Sequence, residues 1–258
     1  MVGLNGGSRE FATTHWSVVR SCSESENGKA HAALSQLCRT YWRPIFTFIC
    51  RRGYAASDAQ DLTQDFFVVL LKRDLLSGAD PTRGRFRSLL LKSLQNFLID
   101  AKEKRQAFKR GGDFDFVSWD DWMAESPSRV SLPARVLETW PAEQLYDLRW
   151  AATVVEQALR RLAEECESRG RRRVFDKLSP YLTADRSDVC YDELSVSLGI
   201  PVASVRRVIH QLRLRYRALL RDEIAQTVSA PHEIEAEMSH LQRVLMDRSL
   251  EFAAQSET

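Results

Sequence analysis

The chain has 258 residues, 44% of them hydrophobic and 28% charged, enough apolar side chains for the cores of one or two ordinary domains. Its formal net charge is only +2, so a charged partner has to be met by local patches and not by the molecule as a whole. Glycine and proline are sparse, at 11 and 8, strand-type alternation is scarce, and no apolar run is long enough to cross a bilayer; membrane-spanning and β-rich classes are disfavoured and an all-α fold is expected.

Residues 1–28 form a mixed N-terminal segment with Phe11, Trp16 and Val19 as anchors. No basic stretch followed by an apolar one occurs from Met1 to Glu10, so no secretory signal is expected. The cysteines, Cys22, Cys38, Cys50, Cys166 and Cys190, are odd in number and include no Cys-x-x-Cys pair. Free thiols in a reducing cytoplasm are expected, in preference to a disulfide framework or a zinc site joining Cys38 or Cys50 to His31.

A first helical domain is expected over 29–112. Leu34, Leu37, Tyr41, Ile45, Phe46 and Ile49 recur at helical steps, with Pro44 placed to kink or divide that helix. Ser57 with Gln60 fits a capping box opening a second helix, on which Leu62, Phe66 and Val69 form an apolar line. Asp58, Asp61, Gln64 and Asp65 cluster on it and read as a polar docking face in preference to a metal site. After a loop with Gly78, Pro81 and Gly84, a third helix is expected from about Arg85 to Lys109, ending at Gly111-Gly112. Its apolar stripe is Phe86, Leu89 or Leu90, Leu94, Phe97, Leu98 and Ala101. Arg83, Arg85, Arg87, Lys92, Lys102, Lys104, Arg105, Lys109 and Arg110 face only Asp100 and Glu103. Such charge neutralises phosphates, and the interleaved Asn96 and aromatics suit unstacked single-stranded bases, although Phe86 and Phe97 also read as core.

At Asp113 the composition turns acidic and proline-interrupted, and 113–144 reads as an inter-domain linker whose Trp119, Trp122 and Trp140 suggest docking. A second helical domain is expected over 145–222, opening with an amphipathic helix through Trp150, Val154, Val155, Ala158, Leu159 and Leu162, then a short helix around Val174–Leu182. Tyr191–Leu198 and Val202–Leu220, joined by Gly199-Ile200-Pro201, have helix-turn-helix form. Val205, Val208, Ile209, Leu212, Tyr216 and Leu219 share one face of the second helix; Arg206, Arg207, His210, Arg213, Arg217 and Arg221 share the other, with no acid between Pro201 and Arg221. Major-groove insertion requires such a helix. Arg206, Arg207 and His210 are placed for base edges, and Ser204, Arg213 and Arg217 for phosphates. Residues 223–258 form a C-terminal extension with a final helix through Ile234, Met238, Leu241, Leu245 and Leu250. No nucleophile–base constellation and no glycine-rich phosphate loop are present, so neither an enzyme nor a cofactor is expected.

Taken together, these pieces resemble the extracytoplasmic-function sigma factors of bacterial RNA polymerase. Asp58-Ala59-Gln60-Asp61-Leu62-Thr63-Gln64-Asp65-Phe66-Phe67 is similar to the family's region-two Asp-Ala-Glu-Asp-Leu-x-Gln-x-x-Phe stretch. The resemblance implies core-polymerase contacts by Asp61, Leu62, Gln64 and Phe67. Phe86-Arg87-Ser88-Leu89-Leu90 through Asn96, Asp100 and Arg105 resembles the run that captures and melts the minus-ten element, implying DNA contacts by Arg87, Asn96, Lys102, Arg105 and Lys109; Leu89 and Gln95 depart from the family's tryptophan and arginine. Tyr191 to Arg217 resembles region four, which reads the minus-thirty-five element. Phe11-Ala12-Thr13-Thr14-His15-Trp16-Ser17, Ala79 to Ser88 and Lys109 to Gly112 resemble a branch common in planctomycete-like and acidobacterial genomes. The implied partners are core RNA polymerase and promoter DNA, with an anti-sigma or kinase regulator left open; the tail helix either covers region four or binds a regulator. The rival expectation is a stand-alone helix-turn-helix regulator.

Overall fold

The computed structural model describes residues 28–72, 85–107, 139–228 and 230–253. Among the described residues are eight α-helices and no strand: α1 (Gly28–Arg51), α2 (Ala56–Lys72), α3 (Phe86–Ala107), α4 (Ala142–Ser168), α5 (Arg172–Leu178), α6 (Tyr191–Leu198), α7 (Val202–Ala225) and α8 (Ile234–Ala253). The expected all-α class holds. The loop with Gly78, Pro81 and Gly84, the Gly111-Gly112 stop and the acidic stretch before Thr139 lie outside the described residues.

On α1, Leu37, Tyr41, Ile45, Phe48 and Ile49 are fully buried at three- and four-residue steps. Pro44 lies inside the helix without dividing it, although it has no N–H to give the carbonyl four residues back. The start of α2 differs from expectation. Ala59 N donates to Ala55 O at 2.8 Å, which makes Ala55 the cap residue and puts Ser57 within the first turn, so the Ser57–Gln60 box does not form the cap. Asp58 does sit in that turn, where the helix dipole favours an acid. Phe86, Leu90, Leu94 and Leu98 are the buried stripe of α3, and half-buried Phe97 meets Phe66 of α2 at 5.5 Å.

Helix α4 organises the rest. It starts at Ala142, three residues before the expected boundary, and is buried on more than one side: Leu145, Tyr146, Leu148, Trp150, Ala151 and Val154 are all enclosed. Its first half carries apolar residues on more than one face and has to be covered from more than one side. Its first half lies antiparallel to α1, with Arg52 on Glu143 at 2.6 Å, Phe48 edge-on to Tyr146 at 6.4 Å and Arg43 on Glu156 at 2.9 Å. Its second half lies antiparallel to α7, with Arg161 on Glu223 at 2.6 Å and Arg215 Nε on Glu165 at 2.8 Å. One apolar cluster therefore runs through α1, α2, α3, α4, α7 and α8, across the boundary at which two separate cores were expected.

A second, smaller core belongs to the helix-turn-helix. Leu178, Val189, Leu194, Val205 and Ile209 are buried together, bordered by Val174, Tyr181, Leu198, Ile200 and Leu212. The observed α6 matches Tyr191–Leu198, and α7 continues five residues past the expected Leu220. No side chain caps the start of α6. At its end Gly199 adopts φ 68° and ψ 29°; its N–H reaches Val196 O and the N–H of Ile200 reaches Ser195 O, a Schellman closure that turns the chain into α7. A Cβ at Gly199 would meet nothing within 4 Å, so the demand is purely conformational. Gly199→Ala is expected to lower stability by about 1 kcal/mol, with Gly199→Asn milder, read as the shift in urea midpoint at unchanged slope.

Candidate nucleic-acid interface

The exposed face of α7 divides along its length. In the first half, Arg206, Arg207 and His210 are exposed and Ser204 is half-buried. The Arg206 guanidinium lies 4.9 Å from the centre of the Tyr191 ring, a cation–π contact that presets its direction. Arg213, expected on phosphate, is instead turned inward: its guanidinium donates to Tyr181 O at 2.7 Å and to Ala184 O at 2.6 Å. It ties the 3₁₀ turn at Ser179–Tyr181 to α7. Arg217 is exposed, whereas Arg215 is paired with Glu165 and Arg221 with Glu235 of α8. The pairing with Arg215 holds the Glu165 carboxyl below its ordinary range. The exposed positive charge is thus concentrated at the N-terminal end of α7, the end that enters a groove in helix-turn-helix docking.

On α3, Asn96 and Lys102 are exposed. The side chain of Arg105, and Lys109 altogether, lie outside the described residues. Arg87 departs most from expectation. It is 6% exposed, at the start of α3 beneath α4 and α8. Its Nε donates to Glu237 Oε1 at 2.6 Å, its Nη1 donates to Asp147 of α4, and its guanidinium lies 5.1 Å from the centre of the Trp150 ring. Arg87 consequently presents no surface to DNA in this arrangement. Arg85 Nε lies 2.9 Å from the other carboxylate oxygen of Glu237, an ion pair without an aligned hydrogen bond. His240 Nε2 lies 3.5 Å from Asp147 Oδ2. Burial works against ionisation on both sides of this cluster and is outweighed. The carboxylates of Asp147 and Glu237 raise Arg87 further above its ordinary value, and His240 with Arg87 holds Asp147 below its own.

The α2 face is split as well. Asp61 is exposed and Gln64 is half-buried, but Leu62 and Phe67 are 5% and 3% exposed and belong to the core. A partner approaching α2 would meet Asp61 and Gln64, with Leu62 and Phe67 shaping the surface from below. Among the described residues no group of His, Cys, Asp and Glu is arranged to hold a metal ion, and no helix is long and apolar enough to cross a membrane. Burial raises the Cys38 thiol to about 12, which leaves it unreactive.

Sequence reading missed the cluster of Arg85, Asp147, Glu237 and His240. One signal was present. Glu237 falls three residues after Ile234 and one before Met238, on the apolar stripe of α8, where an acid must find a buried partner. Compared with protein-family models, with curated proteins and with solved structures, the chain matches none.

Proposed function

We propose that the chain is a sigma factor of the extracytoplasmic-function kind: it binds core RNA polymerase and directs it to promoters by sequence-specific DNA contact, without catalysing a reaction. The observation that carries this reading is the helix-turn-helix closed by Gly199, with Arg206, Arg207 and His210 exposed at the leading end of α7. Arginines there can take guanine edges bidentately. The basic α3, with Asn96 and Lys102 on its surface, supplies a second nucleic-acid surface on the same chain, and the acidic Asp61 of α2 supplies a docking point for polymerase. A stand-alone helix-turn-helix regulator is the second reading. The shared core favours it to this extent, that both halves of the chain close on α4 as one body.

Run-off transcription with purified bacterial core polymerase on fragments of the native genome separates the two. Specific transcripts are expected only when the chain is added; core enzyme that initiates equally well alone would sink the proposal. Asp61→Arg replaces an exposed acid and should leave the fold intact. It is expected to weaken co-purification with core polymerase about tenfold, because a like charge then faces the site that accepted the acid.

A further inference from the structure

We propose that the C-terminal helix carries an internal substitute for a nucleic-acid phosphate, and that Glu237 holds the start of α3 closed until DNA displaces it. The inference rests on the reading of α3 as a nucleic-acid-binding helix and adds how that helix is regulated. Glu237 is fully enclosed and engages two arginines at once, Arg87 through Oε1 at 2.6 Å and Arg85 at 2.9 Å from Oε2. A carboxylate between two guanidinium groups fills the place that phosphodiester oxygens take between the same groups. The two anions are therefore mutually exclusive there.

An ordinary packing role accounts poorly for this cluster. Apolar side chains of similar volume stabilise a helix contact as well as buried ion pairs do, or better. Yet the charge stands on the apolar stripe of α8, flanked by buried Met238 and Leu241. The lock also has a second attachment, Glu235 on Arg221 of α7, so that α8 clasps both basic helices. Asp147 remains beside Arg87 when the tail leaves, which keeps the buried guanidinium partly compensated and lowers the barrier to opening. Arg85 is still a third exposed at 34% and is the side from which a strand can begin to compete.

The test is binding of a short fluorescein-labelled single-stranded oligodeoxynucleotide to the full chain alone, followed by anisotropy across a salt series. Glu237→Gln is expected to bind about tenfold tighter than wild type, with a steeper salt dependence as more phosphates are neutralised. Adding Arg85→Ala to that variant should cancel most of the gain. In the unaltered chain, hydrogen exchange over 234–253 should quicken when the oligonucleotide is added. Equal affinities with unchanged exchange would overturn the lock, and so would a gain that survives loss of Arg85, since that would reflect general loosening. Run-off transcription by the wild-type chain reads the function separately. A chain that initiates transcription but shows no gain on Glu237→Gln refutes the lock alone; a gain in a chain that never supports initiation refutes the sigma reading alone.

Discussion

Trp150→Ala is expected to destabilise the fold by about 3–5 kcal/mol, the range for deleting a fully buried aromatic side chain. Trp150 is 0% exposed and sits where α3, α4 and α8 converge. Arg87 lies 5.1 Å from the ring centre and His240 6.2 Å from it, so the ring also screens the buried charges from water. Its removal leaves a cavity beside an ionised cluster, and water entering that cavity weakens the Arg87–Glu237 pair as well as the packing. Because one apolar cluster joins α1, α2, α3, α4, α7 and α8, the loss should appear as a single cooperative transition at lower urea concentration, with the amides of α8 and of α1 losing protection together. Trp150→Phe keeps most of the volume and should cost much less. If α8 loses protection while α1 keeps all of its own, the two halves are independent and the shared core is not a unit of stability.

The helices were legible in the sequence because each carries a period. The stripe Leu37, Tyr41, Ile45, Ile49 marks α1, and Phe86, Leu90, Leu94, Leu98 marks α3 and resolves Leu89 or Leu90 in favour of the second as the buried one. The turn at Gly199 was equally plain, since a left-handed residue between two apolar-faced segments has few alternatives to glycine. Three things were hidden, for different reasons. Periodicity assigns one buried face to a helix, so Leu145 and Leu148, which lie off the Tyr146–Trp150–Val154–Ala158 stripe of α4, gave no sign that α4 would be covered from several sides. Charge counting assigns every arginine to the surface. Arg87 and Arg213 are turned inward by partners 150 and 32 residues away in sequence, Glu237 and Tyr181, which no local pattern reports. Motif matching treats a stretch as a single face, yet residues 61–67 turn in and out at the helical period: Asp61 and Asp65 meet solvent while Leu62, Phe66 and Phe67 are core. The candidate surface at the start of α7 was legible because exposure there follows from the same helical pitch that buries Val205 and Ile209.

Replacing Arg206 and Arg207 together by alanine is expected to weaken binding to a cognate duplex about a hundredfold, at roughly 1.4 kcal/mol for each lost bidentate base contact. The cognate duplex can be enriched by selection from random sequence with the wild-type chain. Both residues are exposed at the leading end of α7, and Arg206 is already aligned by the Tyr191 ring at 4.9 Å, so little side-chain freedom is lost when it binds. Affinity for unrelated duplex should fall far less, because phosphate contacts carry no sequence information. Arg217→Ala should act without regard to sequence, weakening all duplexes alike and reducing the salt slope by about 1. Arg213→Ala should behave as neither. Its guanidinium satisfies the carbonyls of Tyr181 and Ala184, so its loss should loosen the packing of the Ser179–Tyr181 turn against α7 and lower thermal stability. A double variant at Arg206 and Arg207 that keeps both affinity and sequence preference would move the reading surface elsewhere on the chain. The three variants in this way test whether arginines that look equivalent in a helical projection divide into the roles proposed for them: base contact, phosphate contact and, for Arg213, a tie to the protein's own backbone.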